Sequence, residues 1–127
     1  MTISPDASND RRRALGKAGE DAGAKWLESQ GMRILERNFR CRTGEIDIVG
    51  EIDGVTVIVE ARGRSSDIWG SAAESVDFKK RRKLRALAAY YMRERGKSGG
   101  AYRIDVLSYR YDRDGAPYEF EWYQNAI

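Results

Sequence analysis

The chain has 127 residues, of which 41% are hydrophobic and 34% charged, and its net charge is only +3. That length buries one core, so a single domain is expected, and no apolar run approaches the roughly 20 residues of a membrane span. There is no histidine, which excludes imidazole-based hydrolases and imidazole metal sites, and the single cysteine, Cys41, can form neither an internal disulfide nor a thiolate zinc site.

Residues Met1–Asp10 are small and polar, include Pro5, and read as a mobile arm ahead of one domain over residues 11–127. Arg11–Arg13 lead into a helical pattern with Leu15, Ala18, Ala22, Trp26 and Leu27 on one face, stopped by Gly31. Strand patterns follow over Met32–Arg40, Gly44–Gly50 and Val55–Arg62, the last two joined by the hairpin dipeptide Asp53-Gly54. A Gly- and Ser-rich loop, Gly63–Ser75, leads to Asp77, the expected cap of a helix from Phe78 to Arg95 with Leu84, Leu87, Ala88 and Tyr91 as its buried stripe. Tyr102–Tyr111 and Tyr118–Tyr123 alternate as strands around the turn Asp112–Gly115. The order αβββαββ, with a helical crossover between the third and fourth strands, predicts a mixed β-sheet flanked by helices in an α/β domain. The absence of a signal-peptide core and of a membrane span predicts a cytoplasmic protein.

Charge is segregated. From Gly44 to Glu60 there are five acidic residues (Glu45, Asp47, Glu51, Asp53 and Glu60) and no basic one, whereas six of the seven residues from Lys79 to Arg85 are basic. A basic helix neutralises phosphates and a carboxylate pair holds a cation, which is what a metal-dependent enzyme acting on phosphodiesters needs. Each run alone also reads as a solvated face. With only carboxylates and carbonyls available, the cation would be a hard one, Mg²⁺ or Mn²⁺.

The hairpin register narrows the site. A two-residue turn at Asp53-Gly54 pairs Ile52 with Val55, which sets Asp47 opposite Glu60 and Glu45 opposite Arg62 on one face, with Ile46, Ile48, Gly50, Val57, Val59 and Ala61 on the other. Like charges directly opposed destabilise a sheet, yet their spacing suits two carboxylates sharing one divalent ion. On the second helix, Lys79, Lys80, Arg82 and Lys83 point away from the apolar stripe and are candidate phosphate contacts, while Arg81 lies nearer the stripe.

The segments Gly19-Glu20-Asp21-Ala22, Arg37-Asn38-Phe39-Arg40-Cys41-Arg42, Gly44-Glu45-Ile46-Asp47-Ile48, Val59-Glu60-Ala61-Arg62, Tyr102-Arg103-Ile104-Asp105-Val106 and Asn125-Ala126 resemble the YraN-like family of small bacterial proteins. The resemblance runs from about Ala14 to the C-terminus. It implies a restriction-endonuclease-like, PD-(D/E)xK fold related to Holliday-junction resolvases. It also implies metal binding by Asp47, Glu60 and the Ala61 carbonyl, assistance from Glu20, and Arg62 at the catalytic position where the motif has lysine. Glu45 matches the motif and is either auxiliary or an ion-pair partner for Arg62. Arginine stays protonated and cannot serve as a base, so Lys17, Lys25 or Lys80 is a candidate substitute in space. The implied activity is Mg²⁺- or Mn²⁺-dependent endonuclease cleavage of structured (branched or single-stranded) DNA, with a non-catalytic nucleic-acid-binding protein as the alternative. DNA is the implied partner, membrane is not, and a homodimer follows only by analogy with resolvases.

Overall fold

Alternating apolar residues from Ile46 to Val59 build strands, and the stripe at Leu84, Leu87, Ala88 and Tyr91 builds a helix. The computed structural model describes residues 5–65 and 77–127. The elements are α1 (Pro5–Ser29), β1 (Arg33–Cys41), β2 (Gly44–Ile52), β3 (Val55–Ser65), α2 (Phe78–Glu94), β4 (Tyr102–Tyr111) and β5 (Pro117–Tyr123). The strands form one mixed sheet in the order β1-β2-β3-β4-β5, with β3 and β4 parallel and the other neighbours antiparallel.

Asp53 and Gly54 have φ of +50° and +80°, the left-handed pair that a two-residue hairpin turn requires. Asp77 caps α2, its Oδ1 accepting the Lys80 N–H at 2.8 Å. The helix begins earlier than its apolar pattern predicts: Pro5–Asp10, expected as an arm, are helical. Proline is tolerated in a first helical turn, where its fixed φ suits the helix and its missing N–H is not needed. Residues 1–4 lie outside the described residues, as does most of the expected loop, from residue 66 to 76. β3 runs on to Ser65 because β4 pairs with it as far as Ser65 opposite Tyr111, beyond the reach of its apolar pattern.

Each helix covers one face of the sheet. Ala24 and Leu27 of α1 pack with Met32, Ile48, Val57, Val59 and Leu107, whereas Leu84, Leu87, Ala88, Tyr91 and Met92 of α2 pack with Val49, Ile58, Ile104 and Val106. Fully buried chains such as Leu27, Ile48 and Ile58 each contribute roughly 1.5–3 kcal/mol relative to exposure. The alternation of β2 breaks once: Ile48 packs on the α1 side, while Ile46 joins the α2 side. The expected common core face from Ile46 to Ala61 is therefore divided. Asn38, opposite this break between the pairs Arg37–Ile48 and Phe39–Ile46, has φ of +55°, a conformation asparagine tolerates better than most residues.

Candidate functional site

β2 and β3 separate just beyond the pair Ile48–Val59. Up to there they keep the register set by the turn; past it β2 stays with β1 to Gly44 opposite Cys41, and β3 stays with β4. Asp47–Glu60 and Glu45–Arg62 are thus not ladder partners, contrary to the expected register. The Asp47 carboxylate crosses the opening instead, its Oδ2 accepting the Ala61 N–H at 3.1 Å in place of a backbone carbonyl. In a strand the N–H and C=O of one residue point to the same side, so the Ala61 carbonyl faces the same notch.

Glu60 is buried to 8% exposure, and its Oε1 lies 3.2 Å from Lys80 Nζ and 3.9 Å from Arg62 Nη1. Lys80 was expected on the solvent face with Lys79, Arg82 and Lys83; it leans into the notch because an unneutralised buried carboxylate lies within reach of its stem. Lys79, Arg82 and Lys83 are exposed, with the Arg82 guanidinium 5.9 Å from the centre of the exposed Phe78 ring. Arg81 is half-buried and donates to the Ala126 carbonyl at 3.5 Å. Lys17 and Lys25 are exposed on α1, so of the three candidate lysines it is Lys80 that meets the acidic pair. Glu45 pairs with Arg40 at 3.3 Å, rather than with Arg62.

Two open clefts meet here. One of about 640 Å³ is lined by Glu45, Asp47, Glu60, Lys80 and Lys83 together with the β1–β2 turn. The other, of about 400 Å³, is lined by Glu20, Glu60, Ala61, Arg62 and Tyr109. Glu60 lines both, so the four charged residues expected on one face are distributed around it.

Glu20 comes to the notch through packing. Gly19 lies flat on the Tyr109 ring, where a Cβ would sit 2.0 Å from Cζ, and Gly63 of β3 closes on the same ring. Burial, then the charges of Glu60 and Glu20, push Asp47 up to about 7, against the pull of the Ala61 N–H. Burial and the charge of Glu45 raise Glu20 as well, opposed by Arg37 and a hydrogen bond from Asp47. Tyr109 is pushed up to about 12 by burial and by the charges of Glu20 and Asp47. Asp47 and Glu20 thus meet across the α1–β2 contact, where burial works against the charge of both.

Among the described residues no three acidic or cysteine side chains close on a single point as a ready ligand set. Asp47 and Glu60 do supply hard oxygen donors beside a main-chain carbonyl, and the raised affinity of Asp47 for a proton is what a cation would relieve. The donor chemistry therefore fits Mg²⁺ or Mn²⁺ at Asp47, Glu60 and Ala61.

A family model described as "Uncharacterised protein family UPF0102" matches residues 19–109. The chain belongs to the UPF0102 family. It is 44% identical to a UPF0102 protein of Pelotomaculum thermopropionicum over 118 residues, covering 93% of this chain and 98% of that one. It is 50% identical to a UPF0102 protein of Moorella thermoacetica over 102 residues (80% and 85%), and 47% identical to one of Persephonella marina over 93 residues (73% and 80%). The UPF0102 match begins at Gly19 and ends at Tyr109, the two residues in contact across the α1–β4 packing, and so encloses the whole notch. No described helix of this UPF0102 protein is long and apolar enough to cross a membrane.

Sequence reasoning missed several contributors. Tyr109 was read only as strand text, Arg37 holds Asp21 of α1 at 2.8 Å, and Arg40 and Arg42 line the larger cleft. The clustering of arginines in Arg37-Asn38-Phe39-Arg40-Cys41-Arg42 was the available signal.

Proposed function

We propose that this chain is a Mg²⁺- or Mn²⁺-dependent endonuclease acting on structured, branched or single-stranded DNA, on a restriction-endonuclease-like scaffold. One observation carries the reading: Asp47, Glu60, the Ala61 main chain and Lys80 converge where β2 and β3 part. When bound there, the cation would polarise a phosphate oxygen and make water a better nucleophile.

The side chains divide the remaining work. Asp47 and Glu60, with the Ala61 carbonyl, would hold the cation, and Glu20, hydrogen-bonded to Asp47, would assist them. Lys80, paired with Glu60, is the lysine this reading assigns to the work of the motif lysine, because an ammonium, unlike a guanidinium, can serve as a proton carrier. Arg62 steadies Glu60 and offers its guanidinium to a phosphate. Lys79, Arg82 and Lys83 neutralise flanking phosphates.

A second reading, a nucleic-acid-binding protein without chemistry, is favoured by one feature: Glu60 Oε1 is already balanced by Lys80 and Arg62. Incubation with branched, single-stranded and duplex DNA, with and without Mg²⁺ or Mn²⁺, separates the two. We expect metal-dependent cleavage that falls at least 10²-fold in Glu60→Gln and in Lys80→Ala, the usual scale for loss of an acid–base group. Binding without cleavage under any of these conditions would establish the second reading.

A further inference from the structure

We infer that the β1–β2 turn is the second half of the nucleic-acid grip, with Arg40 and Arg42 holding phosphates across the cleft from Lys83 of α2. The inference deepens the reading above and rests on it for the identity of the ligand.

The larger cleft has an acidic floor of Glu45, Asp47 and Glu60, which alone repels a polyanion. Its basic lining reverses that sign: Arg40 at the end of β1 and Arg42 on the turn line the same cleft as Lys83 on the helix. The two sides touch at Gly44, where a Cβ would lie 3.1 Å from Lys83 Cε, so the lysine stem lies along the turn. No ion pair among the described residues holds Arg42 or Lys83. Among the described residues Arg40 has its ion pair with Glu45 at 3.3 Å, with 75% of its side chain exposed, and such a surface pair yields readily to a better acceptor. Guanidinium groups bind phosphate in a bidentate fork, which makes two arginines at the end of β1 and on the turn after it a directional grip and not merely a diffuse field. A backbone running between turn and helix is thereby centred over the notch.

The lone cysteine supplies the test, because Cys41 lines this cleft between the two arginines. A hydrogen bond with Thr43 holds its thiol below the ordinary range, favouring disulfide exchange. Single-stranded and four-way-junction oligonucleotides carrying, on an internal phosphate, a tether that ends in a mixed disulfide with a small thiol are incubated with the full chain in EDTA, so that no cleavage intervenes and the Cys41 thiolate forms the new disulfide by displacing the small thiol. We expect Cys41 to be trapped, and not in Cys41→Ser. Arg40→Ala/Arg42→Ala should lower the magnitude of the log-affinity against log-salt slope by about 1.4 for single strands, about 0.7 per phosphate lost. Arg40→Lys/Arg42→Lys should keep most of that slope, and Arg113→Ala, on the exposed β4–β5 turn, should keep all of it. Unchanged affinity and slope in the double alanine variant, at unchanged melting temperature, would overturn the grip even if the protein cleaves DNA. Trapping at Cys41 with the expected slope loss, in a protein that cleaves nothing, would uphold the grip and overturn the hydrolytic reading.

Discussion

Asp47 is held by geometry in a place that disfavours its charge. It must accept the Ala61 N–H to close the end of the β2–β3 ladder, and that position brings it against Glu60 and Glu20. Its carboxyl rises from 3.8 to about 7, and the sign of the consequence follows. Below about pH 4 folded and unfolded chains both carry the proton; as pH rises toward 7 the unfolded chain releases it while the folded chain retains it, and stability is lost. Above pH 7 the loss is complete, with an upper bound of about 4 kcal/mol. Asp47→Asn keeps an acceptor for Ala61 and removes the charge. It should raise Tm at pH 8 by roughly 5–10 °C and change it little at pH 4, as read by thermal unfolding across pH. Mn²⁺ should raise the wild-type Tm at pH 8 by binding the folded state alone, and should leave Asp47→Asn unmoved. A pH-independent difference between the two proteins would place the strain elsewhere.

The site depends on how closely α1 approaches the sheet, and two glycines of that helix should respond with opposite sign. A Cβ on Gly16 meets nothing within 4 Å, so Gly16→Ala should stabilise by about 0.5–1 kcal/mol through helix propensity. A Cβ on Gly19 would lie inside the Tyr109 ring contact, so Gly19→Ala should cost about 1–3 kcal/mol despite the same propensity gain. Because Glu20 is the next residue, that variant should also weaken the Mn²⁺-induced shift in Tm. Denaturant midpoints of the two variants decide it, and equal signs would deny the wedge. This contrast also shows how much of the molecule was legible in the sequence. The Asp53-Gly54 turn, the register to Ile48–Val59, the Asp77 cap and the α2 stripe are local patterns, and the sequence carries them directly. The parting of β2 and β3 was not legible, since alternation reads the same whether Asp47 faces a neighbour or replaces a ladder bond. In the structure Asn38, opposite Asp47 on β1, takes a left-handed conformation at the break. A helical wheel placed Lys80 outside because it contains no partner for the side chain, whereas Glu60, from a strand, draws it in.

Two acidic side chains among the described residues are buried, Asp105 and Glu60, and their surroundings differ. Asp105, fully inaccessible on β4, is saturated: Arg103 Nε donates to both oxygens at 3.1 and 3.2 Å, Trp122 Nε1 at 2.8 Å and the Asn125 N–H at 2.7 Å. Through Trp122, which meets Trp26 edge-on, and through Asn125, this carboxylate ties β5, the C-terminal tail and α1 to the sheet. At the notch the balance tips the other way among the described residues: Glu60 and Glu20 both repel charge on Asp47, which accepts the Ala61 N–H, while Lys80 and Arg62 lie on one oxygen of Glu60. Surplus donors are what a fold needs for stability, and surplus acceptors are what a cation site needs. Asp105→Asn leaves the Arg103 guanidinium without its counter-charge and should cost roughly 3–5 kcal/mol, with faster amide exchange over residues 117–127. Glu60→Gln relieves repulsion on Asp47 while freeing two partly exposed cations, so its cost at pH 7 should stay within about 1 kcal/mol. Chemical unfolding of both variants makes the comparison. If Asp105→Asn is no less stable than Glu60→Gln, the distinction between a saturated structural carboxylate and an unsaturated functional one fails for this fold.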